Sequence, residues 1–180
     1  MSHAAALALL ESWQAPDERQ EALRSSYVDH LREHADGHLR SCRPDHLTAS
    51  VLVASADGRQ VLLTHHRRAD LWFQLGGHVE PEDASLAAAA ERELREESGL
   101  RSYYLDPEPV QLDVHHVPFC GDGGHHLDVR FVAVADPAEP LTVTEESVDV
   151  RWWPVDALPS QEASLHDLVA RATERLGVRG

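Results

Sequence analysis

Four glutamates within seven residues, in a segment with a helical pattern, constrain this chain more than any other feature. The segment runs from Gly76 to Leu100 and reads GGHVEPEDASLAAAAERELREESGL. A helix turns about 100° per residue, so Glu93, Glu96 and Glu97 share one face, where like charges repel each other. A divalent cation such as Mg²⁺ or Mn²⁺ would neutralise them, and proteins often hold Mg²⁺ jointly with substrate phosphates. The segment therefore predicts metal-assisted chemistry on a phosphorylated substrate.

The same segment resembles the signature of the Nudix hydrolases, G-x5-E-x7-R-E-U-x-E-E-x-G-U, in which U is an aliphatic residue. The first half of the signature is altered. Counted from Gly77, Asp83 stands in place of the glutamate, and eight residues instead of seven separate it from the arginine. We interpret the extra residue as a variant loop before the helix, because it falls away from the glutamate cluster. The second half is complete, at Arg92, Glu93, Leu94, Glu96, Glu97, Gly99 and Leu100.

This resemblance implies roles for the residues of the segment. Glu93, Glu96 and Glu97 would ligate the divalent ions, and Gly76 would add its backbone carbonyl. Glu93 or Glu97 could instead orient or deprotonate the attacking water. Arg92 would hold the carboxylates in place, although a surface ion pair with Glu96 is the simpler interpretation of that arginine.

Residues beside the glycine pair are candidates for substrate binding. We predict a turn at this pair, where the missing β-carbon lets the backbone of Gly77 approach a pyrophosphate closely. His78 is the best-placed histidine for contact with a phosphate or a leaving group, and Trp72 could stack on a base. Glu80 is a candidate structural or metal-shell carboxylate. Asp83 is predicted to be a helix N-cap and not a ligand.

The resemblance also implies a further carboxylate from a loop late in the fold. Such a residue serves as a metal ligand or general base in the family. Glu145 and Glu146 precede the strand that contains the Trp152-Trp153 pair, which is where this residue would be sought. Both are therefore candidates for the general base.

The thirteen histidines do not in themselves indicate a zinc site. Three adjacent pairs lie in or beside predicted strands, at residues 65–66, 115–116 and 125–126. Neighbouring side chains in a strand point to opposite faces, so a pair cannot converge on one ion. One member of each pair could still face a substrate cleft.

Apolar periodicity and turn residues predict alternating helices and strands. Strands on both sides of a central helix, with helices at each end, indicate an α/β fold: an α/β/α sandwich on a mixed β-sheet with extra N-terminal helices. The Nudix fold is such a sandwich. We divide the chain into a helical appendage, residues 1–45, and a Nudix hydrolase domain, residues 46–180. The predicted helices are 4–14, 17–36, one from about 83–85 to 99, and 161–176; the predicted strands are 47–56, 60–67, 71–75, 110–119, 126–135 and 148–155.

The composition limits the classes of partner. The formal net charge is −15 over 180 residues, and nucleic acid or anionic membrane would require positive patches, so we expect neither. A small nucleotide or nucleotide derivative needs only one local basic or metal site. Cys42 and Cys120 lie far apart, without the spacing of metal ligands, and no stretch approaches the roughly 18–20 apolar residues of a membrane span. We expect a cytoplasmic protein, with a homodimer left open.

The expected activity is that of a metal-dependent Nudix pyrophosphohydrolase using Mg²⁺ or Mn²⁺. It would cleave a phosphoanhydride bond in a nucleoside diphosphate linked to another group, or in a nucleoside triphosphate. One alternative is a noncatalytic nucleotide-sensing module, against which the intact glutamate set weighs. Isopentenyl diphosphate isomerase is a second alternative, but it requires a catalytic cysteine near the Gly-His turn, and residues 74–78 contain none.

Overall fold

One mixed β-sheet with helices on both faces forms the centre of the protein. The structure is a computed structural model that describes residues 1–67, 69–117, 123–143 and 147–177. Within these residues the helices are α1 (His3–Ser12), α2 (Glu18–Glu33), α3 (Leu86–Ser98) and α4 (Ala163–Arg175). The strands are β1 (His46–Ser55), β2 (Gln60–His66), β3 (Leu71–Phe73), β4 (Leu75–His78), β5 (Tyr103–Leu105), β6 (Gln111–His116), β7 (His125–Ala135) and β8 (Ser147–Pro154).

Strand β1 organises the sheet, because it is buried along its whole length and pairs with three other strands. It runs parallel to β7 from the pair His46–His126 to the pair Ser55–Ala135. Strand β4 pairs antiparallel with residues 48–51 of β1, and β2 pairs antiparallel with residues 53–54. On the outer sides, β5 and β6 pair with β7, whereas β3 and β8 pair with β2. This topology places the end of β4 beside the beginning of β1.

Side chains on the two faces of the sheet enter two separate apolar cores. Alternate residues of β1, such as Leu47 and Val51, pack with α1, α2 and α3 in the larger core. Leu52, on the opposite face, packs with α4 in the smaller core. Because neighbouring strand residues point to opposite faces, a residue's position in β1 or β7 indicates which helix layer it faces.

The two N-terminal helices are joined to β6 and the turn before it by buried hydrogen bonds. Trp13 Nε1 donates to the carbonyl of Pro109 at 2.7 Å. The side chain of Gln20 accepts from the Leu112 amide at 2.6 Å and donates to the carbonyl of the same residue at 3.0 Å. Tyr27, fully buried, donates its hydroxyl to the Asp113 carbonyl at 2.7 Å. These helices therefore complete the larger core, and the proposed division at residues 45 and 46 stays a prediction.

The predicted fold class is confirmed, with local corrections. The β1–β2 hairpin, the β6–β7 pair and the last helix are observed, whereas β5 was not predicted. Helix α2 ends at Glu33, before the predicted residue 36. The predicted turn at Gly76 and Gly77 is wrong: both residues lie within β4 and pair with Ser50 and Ala49 of β1. Of the described helices, none has the length and apolar character needed to cross a membrane.

Candidate active site

Helix α3 presents the glutamates to β4. It begins after Ser85, whose hydroxyl accepts the Ala88 amide at 3.0 Å, and it ends at Gly99 in the left-handed conformation (φ 74°). The predicted end at Gly99 is therefore observed, but the prediction that Asp83 is the N-cap is wrong. Small and apolar residues on the opposite side of the helix fix its orientation against the sheet: Leu86, Ala89, Ala90 and Leu94 are buried.

A cleft of about 590 Å³ lies between α3, β4 and the segment before β1. We call it the carboxylate cleft. It contains Glu93, Glu96 and Glu97, together with the glycine pair of β4. The remaining residues of its wall are Leu39, Arg40, Ser41, His78, Val79, Glu80, Pro81 and Arg92.

Two glutamates lie directly against the glycine pair. Glu97 Oε1 accepts a hydrogen bond from the Gly76 amide at 2.7 Å. A β-carbon on Gly77 would lie 2.5 Å from Glu93 Oε1, which is closer than side chains tolerate. A β-carbon on Gly76 would instead lie 2.3 Å from the β-carbon of Ser50 in β1. The first glycine thus permits strand pairing, and the second leaves room for a carboxylate.

Arg92 joins the carboxylates to the loop before α3. Its guanidinium donates to Asp83 at 3.1 and 3.2 Å and to the His78 carbonyl at 2.8 Å. It also donates to Glu93 at 2.8 Å and to Glu96 at 3.1 Å. Burial lowers the pKa of Arg92, but the hydrogen bonds to Asp83 and Glu93 outweigh this effect and raise the pKa overall. Arg92 is therefore charged and held in one orientation.

Asp83 pairs with Arg92 instead of capping α3 as predicted. Its carboxylate is almost completely buried, accepts the Glu80 amide at 2.8 Å and receives two guanidinium N–H groups of Arg92. Glu80, which is largely exposed, lies 3.8 Å from Arg92. Asp83 thus connects the loop to the helix through Arg92, at the position where the family signature has a glutamate.

The donor set of the cleft fits a hard divalent cation. One guanidinium charge is hydrogen-bonded to three carboxylates, those of Asp83, Glu93 and Glu96, so the cluster keeps a negative excess. Glu97 adds a further carboxylate to the same wall. Mg²⁺ and Mn²⁺ prefer such oxygen ligands. Glu93, Glu96 and Glu97 could hold such an ion, with the backbone of Gly76 beside them.

A buried polar network supports β4 from the other face of the sheet. Asp128 accepts hydrogen bonds from Thr48 at 3.0 Å, from Ser50 at 2.7 Å and from Arg130 at 2.9 Å. Gln74, just before β4, donates to Asp128 at 3.3 Å. Burial raises the pKa of Asp128, but the charge of Arg130, the charge of His115 and the hydrogen bonds from Arg130 and Ser50 together lower the pKa overall. The network therefore ties the start of β4 to β1 and β7.

Three histidines meet at the end of β4, on the face of the sheet opposite α3. A ligating atom from each of His46, His78 and His126 lies within 4.8 Å of the other two. Burial, followed by the positive charge of Arg40, lowers the pKa of His78 to about 4. Burial, followed by neighbouring histidines, lowers the pKa of His126 to about 3. The reasoning from adjacent pairs missed this cluster, because it takes one histidine from each of three strands.

Of the remaining predicted site residues, Trp72 is not brought to the cleft. Trp72 stacks on His65 with ring centroids 5.0 Å apart and contacts Trp153 edge-to-face at 5.1 Å. It packs against the smaller core, on the side of the sheet opposite α3. Glu145 and Glu146, the candidates for the general base, lie outside the described residues. Arg40 lines the cleft and was not singled out from the sequence, because nothing in its local sequence connects it to α3.

Solved structures of Nudix proteins share this fold. A Nudix-family hydrolase from Clostridium perfringens gives a TM-score of 0.56 at 23% identity, over 74% of this chain and 97% of that one. An Ap4A hydrolase from C. elegans, in a binary complex, gives 0.59 at 17% identity, over 73% of this chain and 97% of its own. The NUDIX domain of Shewanella oneidensis NrtR, cocrystallised with ADP ribose, gives 0.59 at 19% identity, over 83% and 97%. At these sequence identities, the structural similarity establishes only that the fold is shared.

The sequence itself identifies the family. No curated protein matches the chain. The family model described as the NUDIX domain matches residues 44–175, a span that includes the sheet, α3 and α4. The predicted family is thus confirmed by a match over most of the chain. The chain belongs to the NUDIX domain family, and its enzyme class is that of the family's pyrophosphohydrolases.

Proposed function

We propose that this protein hydrolyses a phosphoanhydride bond in a nucleotide or nucleotide derivative, in a reaction that depends on Mg²⁺ or Mn²⁺. The observation that carries the proposal is the convergence of Glu93, Glu96 and Glu97 on one cleft beside the glycine pair. Carboxylate oxygens of this kind are the ligands that a hard cation prefers. The sequence signature and the geometry therefore support the same chemistry from independent directions.

The carboxylates would bind the metal, and Arg92 would orient two of them. When bound, the divalent ion supplies charge neutralisation for the phosphates and a lowered pKa for a bound water. Arg92 holds Glu93 and Glu96 through one nitrogen, at 2.8 and 3.1 Å. A carboxylate side chain that such a contact already holds in one rotamer loses less conformational entropy when it binds the ion. Arg92 is thus a positioning residue for the carboxylates.

Hydrolysis requires a base for the attacking water. Glu97 and Glu93 are the candidates within the described residues, since both face the cleft beside β4. The water oxygen would form a bond to phosphorus as the bridging P–O bond breaks, and the carboxylate would accept the water's proton. The leaving phosphate keeps the bridging oxygen. Glu145 and Glu146 remain predicted alternatives for the base.

The side of the carboxylate cleft formed by β4 and the segment before β1 suits an anionic substrate. Gly77 and His78 both line the cleft, and the Glu93 carboxylate lies directly against Gly77. Arg40, from the segment before β1, brings a positive charge to the same wall. We propose that Arg40 and the backbone of Gly77 and His78 contact the phosphates, while the His78 imidazole lies on the other face of the sheet. The C. elegans and Shewanella relatives, an Ap4A hydrolase and an ADP ribose complex, favour a nucleoside diphosphate linked to a second group as substrate class.

A substrate panel tests this proposal. Nucleoside triphosphates, dinucleoside polyphosphates and nucleotide sugars are each incubated with Mg²⁺, with Mn²⁺ or with a chelator, and the products are separated by ion-exchange chromatography. Reaction in ¹⁸O-labelled water shows which phosphorus is attacked. We expect metal-dependent release of a nucleoside monophosphate from at least one class.

Two results would contradict the proposal. Turnover at the same rate in the chelator would exclude a role for a divalent ion. Binding of a nucleotide with no turnover, under conditions in which the carboxylates bind metal, would instead favour a nucleotide-sensing module. Separate calorimetric titrations of metal and nucleotide distinguish this second result from a misfolded preparation.

A further inference from the structure

The three clustered histidines come together because of strand register. His46 is the first residue of β1 and pairs with His126 of β7. His78 is the last residue of β4 and pairs with Thr48, two residues after His46. Paired residues, and residues two apart in a strand, point to the same face. The register therefore directs all three imidazoles to one place, on the face of the sheet opposite α3.

We propose that His46, His78 and His126 form a binding site for a transition-metal ion, with Zn²⁺ as the expected occupant. The site is distinct from the carboxylate cluster in ligand type and in the face of the sheet that it uses. The inference does not depend on the hydrolytic activity proposed above. It concerns binding of a metal by these three side chains.

The spacing of the rings is compatible with one ion. Ring centroids are 5.2 Å apart for His46 and His78, 5.1 Å for His46 and His126, and 5.0 Å for His78 and His126. Zn–N bonds of about 2.0–2.1 Å place tetrahedral ligand nitrogens about 3.4 Å apart. The ligating atoms lie within 4.8 Å of one another, so modest ring rotations would bring them to that distance.

Two observations at the ring nitrogens support such a role. Nδ1 of His46 lies 3.2 Å from the carbonyl oxygen of Cys42, and the residue is 2% exposed. A backbone carbonyl on one ring nitrogen is the usual second-shell support of a metal-bound histidine. In the part of the chain that the structure describes, the buried Nε2 of His126 has no hydrogen-bond partner. A metal ion would satisfy this nitrogen.

The ligand chemistry separates the two sites. Imidazole nitrogen suits Zn²⁺ and other late transition metals, whereas carboxylate oxygen suits Mg²⁺ and Mn²⁺. Three protein ligands also leave one position of a tetrahedral zinc site open. A water molecule or another small ligand would take that fourth position.

The test is a zinc titration of the full-length, tag-free protein after removal of metals with a chelator. Isothermal calorimetry is performed in excess Mg²⁺, so that the carboxylates are occupied. We expect one Zn²⁺ per chain, and Co²⁺ in its place should give the visible absorption bands of a four-coordinate nitrogen-ligated ion. Loss of a supporting second-shell group alone weakens binding about 10- to 100-fold, so His126→Ala should weaken zinc binding at least about 100-fold.

Matched variants make the outcome decisive. His116→Ala removes an exposed histidine of β6 that is outside the cluster, and Glu97→Gln alters the carboxylate cleft; both should bind zinc like the original protein. Far-UV circular dichroism checks folding, and His78→Asn serves as a second ligand variant if His126→Ala does not fold. The proposal is overturned if zinc does not bind, if both ligand variants bind it unchanged, or if Glu97→Gln abolishes binding.

Discussion

Gly77 and Glu93 lie so close that a single β-carbon cannot be placed between them, since it would be 2.5 Å from Glu93 Oε1. The neighbouring Gly76 has the same requirement for a different reason, because its β-carbon would meet Ser50 of β1 at 2.3 Å. Gly77 is therefore needed for the geometry of the cleft, whereas Gly76 is needed for the pairing of β4 with β1. This difference can be measured.

We predict that Gly77→Ala reduces kcat by about 100-fold while the protein stays folded, because a displacement of a catalytic group by about 1 Å has a cost of this size. The added methyl contacts the end of a flexible side chain, which can move away. Gly76→Ala, in contrast, should lower the melting temperature, because its methyl contacts the backbone and β-carbon of β1. Steady-state kinetics and thermal denaturation of both variants test the pair. If Gly77→Ala and Gly76→Ala lowered the melting temperature equally, the different roles of the two glycines would be contradicted.

Arg92→Lys should reduce activity about 10- to 100-fold, the usual cost of removing a group that orients metal ligands. Lysine has one nitrogen and cannot reproduce the separate bonds from Arg92 to Asp83, Glu93 and the His78 carbonyl. Arg95→Lys is the matched control, since Arg95 lies on the same helix in an exposed pair with Glu91 at 2.6 Å. The measurement is kcat/KM over a range of Mg²⁺ concentrations. An Arg92→Lys enzyme with unchanged metal dependence would contradict the positioning role.

Tyr27→Phe should lower the free energy of unfolding by about 0.5–1.5 kcal/mol, because the buried hydrogen bond from its hydroxyl to the Asp113 carbonyl is lost. Tyr104→Phe is the control: Tyr104 is 64% exposed, and its substitution should change stability by no more than about 0.5 kcal/mol. Urea denaturation measures both free energies of unfolding.

Since α1 and α2 complete the larger core, we also predict that residues 46–180 alone do not fold stably. A stable, cooperatively folded fragment would show that the appendage is dispensable.

Asp17 supplies a pH-dependent contribution to stability. It caps α2 by accepting the Gln20 amide at 2.8 Å, and it pairs with Arg171 of α4 at 2.7 Å. The amide hydrogen bond, followed by the bond from Arg171, lowers the pKa of Asp17. A lowered pKa in the folded state means that the stabilisation is complete above the unfolded value of about 3.9 and is lost as the pH falls through the folded value.

Asp17→Ala should therefore lower the free energy of unfolding by about 0.5–2 kcal/mol near neutral pH, the usual cost of losing an N-cap. The difference from the original protein should narrow as the pH falls to about 3. Asp29→Ala, an exposed change on the same helix, should have little effect at either pH. Chemical denaturation at several pH values gives the comparison. A difference that does not vary with pH would exclude the charge of Asp17 as its source.

Local patterns were enough to predict α3. The apolar residues of its buried side recur at helical spacing, and Gly99 supplies a left-handed end. Asp83 was misassigned because both it and Ser85 are good N-caps, and only the position of Arg92 decides between them. The extra residue of the signature lies between Asp83 and Arg92, and its assignment to this loop stays a prediction.

Contacts between distant strands could not be predicted in the same way. A glycine pair favours a turn locally, yet Gly76 and Gly77 extend β4 because β1 accepts them as partners. His46, His78 and His126 are separated by dozens of residues, and only the register of three strands brings them together. Arg40 reaches the cleft through the packing of the N-terminal segment, which lies before the matched family region.

The most direct test of the proposed function compares Glu97→Gln with Glu91→Gln on the best substrate of the panel. Both residues lie on α3, but Glu97 faces the cleft beside Gly76, whereas Glu91 pairs with Arg95 and Tyr103. We predict that Glu97→Gln lowers kcat about 100- to 10,000-fold, as expected for loss of a base or metal ligand, and that Glu91→Gln stays close to the original enzyme. Equal activity of the two folded variants would contradict the assignment of the carboxylate cleft as the active site.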